Sequence, residues 1–213
     1  MVLIVAIDGP AGAGKSTLGR ALAARLGLEY LDTGAQYRSV AVAALRRGID
    51  LDDPAALADL VATVDIAADD GRVVIDGVDS TDEIRTPVAS QAASRVAVVS
   101  VVRSGLASRQ REWARVHGGG VIEGRDIGTV VFPNAQLKLF ITASPAVRAH
   151  RRSQDTGESF AEVLESIRER DSRDTDREHA PLVTADGAFV VDTSDRPIDE
   201  LVQEILTLVA GAS

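Results

Sequence analysis

Residues 2–17 read VLIVAIDGPAGAGKST, and the fold turns on how they are read. VLIVAID (2–8) is a nearly unbroken apolar run, as expected of a strand buried on both faces of a parallel sheet. GPAGAGKS (9–16) fits the pattern G-x-x-x-x-G-K-[ST]. KSTLGRALAARLG (15–27) follows with helical spacing and a stop at Gly27. Strand, loop and helix in that order are the context this motif requires. Small residues let the backbone wrap a polyphosphate with several N–H groups turned inward, and the helix N-terminus adds the positive end of its dipole. Lys15 can reach the β and γ phosphates, and Ser16 can ligate Mg2+. The expected nucleotide-binding stretch is therefore Gly9, Pro10, Ala11, Gly12, Ala13, Gly14, Lys15, Ser16 and Thr17. The alternative is a tight glycine turn. It leaves unexplained why one of only two lysines, Lys15 and Lys138, stands here. A dinucleotide fingerprint is not met, because from Gly12 and Gly14 the third glycine would fall at Thr17.

The rest of the chain continues the alternation. LEYLDTG gives a second short strand, followed by a helix through QYRSVAVAALRRG. VVIDG, GGVIEG, LKLFITAS and AFVVDTS are further strand candidates, with helical segments between them and PIDELVQEILTLVAG at the end. Strands alternating with helices predict an α/β protein with a mainly parallel sheet. Two regions depart from the rhythm. Residues 60–85 contain short β-like pieces with DDG and DG turn signals and predict a small inserted β unit. Residues 153–178 are polar, with Phe160, Val163, Leu164 and Ile167 at helical spacing, and predict a helical flap.

Composition narrows the function. The chain has 213 residues, 45% hydrophobic and 26% charged, as expected of a globular protein with a real core. Aromatics are only 3%, so Ala, Val, Leu and Ile must fill that core. No apolar run approaches the roughly 20 residues that span a bilayer. Asp8 interrupts the opening run early, so it is read as a buried strand and not a signal peptide. Cysteine is absent, which removes disulfides, thiolate zinc sites and cysteine nucleophiles. A cytoplasmic location follows as the default. A net charge of −9 argues against a long nucleic-acid partner. It leaves room for a small anion held where some of the 21 arginines gather.

The lone Asn134 is followed by Ala135, so the Asn-Lys-x-Asp segment with which signalling GTPases read guanine is absent; so is an LSGGQ-like transporter signature. A small-molecule kinase suits the chain better. It needs two facing anion sites and a lid that excludes water. In LDTGAQYR (31–38), Asp32 at the strand end could hold Mg2+ or its water, and Thr33 and Arg38 could bind an acceptor. Asp32 and Thr33 could equally be a helix N-cap pair, and Arg38 a surface arginine. In EGRDIGTVVFP (123–133), Arg125 and Asp126 follow a presumed central strand, where open α/β sheets bind ligands. A salt-bridged loop is the alternative. RERDSRDTDRE (168–178) has nine charged residues in eleven. On a helix Arg170, Arg173, Asp174 and Arg177 would form one stripe, suited to phosphate through forked donors, or else a solvated, salt-bridged face.

These residues bring a family into view. IDGPAGAGKST, YLDTGAQYR, VASQAASRVA, RQRE, EGRDIGTVVFP, LKLFITAS, RERDSRDTDRE with APL, and VVDTS together resemble the bacterial cytidylate kinase (CMP kinase) family over essentially the whole chain. The resemblance implies a P-loop core of residues 1–33, 118–147 and 179–213. It implies a monophosphate-binding subdomain at 34–117 with the β insert at about 60–85, and a lid at 148–178. It implies transfer of the γ-phosphoryl group of ATP to CMP or dCMP with Mg2+, by a monomer. Thr33 falls on a hydroxyl position near the acceptor, and Arg38, Arg125 and Arg177 on arginines that hold the acceptor phosphate. Ser94, Arg103 and Asp126 fall on residues that read cytosine, Arg170 and Asp174 on the pair that binds ribose. Taken alone, Ser94 and Arg103 would be ordinary helix residues. RAHRR (148–152) resembles the start of the lid, where Arg148 and Arg152 could contact ATP or lie on the surface. Gln36 departs from the family pattern, which commonly has Met there. A kinase for UMP or AMP, or an ATP-driven regulatory module, would be the rival readings.

Overall fold

The stretch Leu3–Asp8 forms strand β1, and every residue after Leu3 is buried. A computed structural model describes residues 2–69 and 71–211. Position 70, the middle of the expected DDG turn, lies outside them, as do Met1 and the last two residues. Helix α1 (Lys15–Leu26) ends on Gly27, whose φ of 64° is the left-handed cap conformation that glycine adopts without strain. Strand β2 (Tyr30–Asp32) leads into α2 (Thr33–Arg46). Then come α3 (Pro54–Thr63), strands β3 (Ile66–Asp69), β4 (Arg72–Ile75) and β5 (Val78–Asp79), α4 (Pro87–Val96) and α5 (Ser100–His117). Strand β6 (Gly119–Gly124) precedes a π-helical turn at Ile127–Val131 and strand β7 (Leu137–Thr142). Helices α6 (Pro145–Thr156) and α7 (Phe160–Asp176), strand β8 (Phe189–Asp192) and α8 (Ile198–Gly211) complete the chain.

Two compact units result. One runs to Leu31 and resumes at Ala114; the other is Asp32–Trp113. The first holds the five-stranded sheet, in the order β2-β6-β1-β7-β8. β1 is parallel to β6 and β7, and β7 is parallel to β8. β1 therefore has a neighbour on each side, which explains its continuous apolar run. Val5, Ile7, Leu18, Leu22, Leu139, Ile141 and Leu201 form the core between sheet and helices. Each such side chain contributes about 1.5–3 kcal/mol by leaving water. Helices α6 and α7 carry a small core of their own, Ala149, Val163 and Ile167 with Leu164 against it.

The second unit packs Val40, Val42, Leu57, Leu60, Ile75, Val96 and Leu106 around α2–α5. Its sheet is the antiparallel set β3-β4-β5. The DG turn between β4 and β5 places Asp76 and Gly77 at positive φ, 50° and 78°, as a tight hairpin requires. No helix among the described residues is long and apolar enough to cross a membrane.

Candidate active site

The phosphate loop is built from backbone. Gly9, Gly12 and Gly14 have φ values of 147°, 75° and 87°. At Gly9 a β-carbon would collide with the Ile141 carbonyl, so this position admits only glycine. Gly14 caps α1 without any side-chain hydrogen bond, and the first turn of α1 contains no acid. The helix N–H groups and dipole are therefore left for an anion. Lys15 Nζ donates to the Pro10 carbonyl at 2.8 Å, which folds the lysine back over the loop. Thr193 Oγ1 donates to the Ala13 carbonyl at 2.9 Å, bracing the loop from beyond β8.

Two buried acids beside the loop were not singled out by sequence reasoning. Ser16 Oγ donates to Glu123 Oε1 at 2.6 Å, joining α1 to the end of β6. Asp8, at the end of β1, accepts from the backbone N–H groups of Ile127 and Gly128, both at 2.7 Å. Burial pushes the Asp8 carboxyl up to about 6, although these two donors and Lys15 favour its charged form. The available signal was a lone acid closing an otherwise apolar strand, in LIVAID and again in GGVIEG.

A guanidinium cluster surrounds Asp174 near the end of α7. Arg125 Nε donates to Asp174 Oδ2 at 2.8 Å, and Arg177 lies 4.0 Å from Oδ1. Arg170 adds its field. Burial favours neutral Asp174, but Arg125, Arg170 and Arg177 together outweigh it and hold the carboxyl below the usual range. The expected four-residue stripe is not formed. α7 ends at Asp176, and Arg177 caps it with extended backbone, φ −59° and ψ 136°. Arg173 is exposed and turns back to the Glu169 carbonyl. Leaving the helix lets the Arg177 side chain pack inward, to 3% exposure.

Of the two expectations for Arg148, the surface one fails. The residue is 3% exposed and donates to four oxygen atoms. It pairs with Asp171 through two hydrogen bonds of 3.0 and 2.6 Å, and donates to the carbonyls of Ala143 and Ala11. It thus ties α6 and α7 to the phosphate loop. Arg152 is partly buried on α6.

In the second unit, Asp32 takes the N-cap role that the sequence left open. Oδ1 accepts from Ala35 N at 2.9 Å and Oδ2 from Arg38 at 3.0 Å, so both oxygens are engaged within α2. Thr33 is buried at the first position of that helix. Arg103 on α5 donates to the Ala97 carbonyl at 3.0 Å and lies over the Tyr37 ring, 5.9 Å from its centre. It thereby links α2 to the end of α4, which carries Ser94. The Ser94 hydroxyl is buried and has no hydrogen-bond partner among the described residues. Gln36 accepts from buried Gln110 at 3.1 Å, so its amide is matched by a second one from α5.

Comparison with known proteins places this arrangement. The family model described as cytidylate kinase matches residues 5–211. The chain belongs to the cytidylate kinase family. Curated relatives named cytidylate kinase include one from Mycobacterium leprae, 44% identical over 99% of this chain and 97% of its own. Another, from Pelotomaculum thermopropionicum, is 46% identical over 97% and 96%. Solved structures with the same fold include a shikimate kinase from Bacteroides thetaiotaomicron, at TM-score 0.51 and 14% identity over 98% of both chains. A gluconokinase from Sinorhizobium meliloti gives 0.51 and 17% over 98% of this chain and 92% of its own. The α/β P-loop kinase fold is thus common to the cytidylate kinase family and to kinases of distant sequence.

Proposed function

We propose that this protein transfers the γ-phosphoryl group of ATP to CMP or dCMP, giving ADP and CDP or dCDP. The reading rests on full-length kinship with cytidylate kinases. Two features support it. One unit holds both a backbone phosphate cradle and a buried arginine cluster, the two anion sites that phosphoryl transfer between nucleotides needs. The other holds a buried hydroxyl without a partner among the described residues, Ser94, as expected where a base edge completes the pairing.

The acceptor is a phosphate oxygen already ionised near neutral pH, so no dedicated general base is required. Lys15 and the loop N–H groups hold the donor, and Arg38, Arg125 and Arg177 hold and neutralise the acceptor. Thr33 lies near the acceptor. Ser94, Arg103 and Asp126 read cytosine: a carboxylate accepts from the 4-amino group and repels the carbonyl oxygen of uracil. Arg170 and Asp174 hold the ribose. The hard oxygens of Ser16 and Glu123 fit Mg2+, which would be held there and neutralise phosphate charge. Asp32 acts through Arg38 rather than on the metal. Arg148 braces the cradle, and Arg152 is placed at the nucleotide. The protein acts in the cytoplasm, as a monomer. A coupled assay across CMP, dCMP, UMP and AMP tests this. Turnover should be fastest with the cytidylates; ATP hydrolysis with no phosphorylated monophosphate would overturn the reading.

A further inference from the structure

Asp8 is all but closed to solvent. It is 3% exposed and enclosed at the end of β1, yet it carries a carboxylate in a place where burial disfavours charge. Its two hydrogen bonds explain why it is there. Ile127 and Gly128 open the π-helical turn, so their N–H groups have no partner within it. The residue at the N-cap position, Asp126, makes no side-chain cap bond. Capping comes instead from Asp8, with both oxygens used, at 2.7 Å each. The cap is thus supplied from a strand end 119 residues away in sequence. Gly128 fits this closely: a β-carbon there would meet Asp8 Oδ2 at 3.4 Å and Lys138 Cδ and Ala185 Cβ at 3.3 Å.

The residue after Asp8 is Gly9, the first of the phosphate loop, and the residues before Ile127 are Arg125 and Asp126. One carboxylate therefore pins the acceptor-side segment 125–128 to the strand that carries the donor-side loop. We propose that Asp8 is a positioning residue for phosphoryl transfer, holding Arg125 and Asp126 in register with the phosphate loop through the N–H groups of Ile127 and Gly128. The proposal rests on the reading above, in which Arg125 and Asp126 serve the acceptor. The charged groups acting on Asp8 are Asp126, Lys15 and Arg125. None of them supplies the cap.

The test is kinetics and binding on Asp8→Asn, Asp8→Ala and Gly128→Ala in the full chain. Asp8→Asn keeps one acceptor oxygen and Asp8→Ala none. At saturating ATP, kcat/KM for CMP should fall at least tenfold in Asp8→Asn and further in Asp8→Ala. The Kd of ATP measured by calorimetry without CMP should stay within threefold in Asp8→Asn. Gly128→Ala, which crowds the same contact but keeps the carboxylate, should fall in the same direction by a smaller factor. Folded Asp8→Asn with CMP kinetics within twofold of the wild type would overturn the proposal. So would a parallel loss of ATP and CMP affinity, which would make Asp8 a general support of the loop. If Asp8→Asn does not fold, unchanged CMP kinetics in Gly128→Ala overturn it. Wild-type protein that does not phosphorylate CMP would overturn the functional reading itself, before any variant is made.

Discussion

Asp8 and Asp174 are buried acids in the same unit, 3% and 7% exposed, yet burial has opposite outcomes for them. Asp8 sits among apolar strands with two backbone donors, and its pKa rises to about 6. Asp174 sits among three arginines, and its pKa falls. Desolvation is the largest influence on both, so the neighbours decide the sign. The difference separates a carboxylate that holds backbone in place from one that organises cations where an anionic substrate is proposed to arrive.

The sharpest way to break this contrast is at the cation cluster. Arg177→Ala should lower turnover by about 100- to 1000-fold while ATP affinity changes less than threefold, read by steady-state kinetics and calorimetry. Equal losses in both would remove the acceptor role. Asp174→Asn leaves buried guanidiniums without their acid and should lower unfolding stability by about 3–5 kcal/mol in denaturant titration. The opposite shifts then predict opposite pH profiles. For Asp8 the folded pKa of about 6 lies above the ordinary 3.8, so its contribution to stability is complete below pH 4 and lost as pH rises through 6. Thermal unfolding of wild type against Asp8→Asn should therefore favour the wild type increasingly from pH 6 down to 4, by roughly 3 kcal/mol in all. For Asp174 the folded pKa is depressed. Its contribution is present above pH 4 and is lost as pH falls further. Parallel pH profiles for the two asparagine variants would erase the distinction. The smallest effect is expected at an exposed ion pair of the second unit. Arg95→Ala, which removes the exposed pair with Asp52, should leave the melting temperature within about 2 °C and kinetics unchanged.

Much of this was legible in the sequence. The apolar run before Gly9, the motif itself and the helical spacing after it gave the parallel core. The DG signal at 76–77 gave the small hairpin. What stayed hidden depends on strands meeting across large separations. Ser16 meets Glu123, and Asp8 meets Ile127 and Gly128, only because β1 and β6 lie side by side. Periodicity also extended α7 too far. It counts residues at helical spacing but not the turn at which Arg177 leaves the helix. The surface position open to Arg148 in the sequence fails for a related reason. An arginine in a polar stretch reads as solvated, and its burial comes from Asp171 and two carbonyls that no local pattern displays.

The position of β1 in the middle of the sheet has a consequence for synthesis. Its two neighbours, β6 and β7, begin at residues 119 and 137, so neither exists until more than a hundred residues after β1 have been made. Asp32–Trp113 has its own core and can consolidate while the chain is still growing. The strand leading into the phosphate loop must meanwhile remain an unpaired apolar segment of low charge, the kind that chaperones bind and that aggregates when left waiting. Competence to bind nucleotide is thus acquired only after β7 has been made, although the motif for it is translated more than a hundred residues earlier.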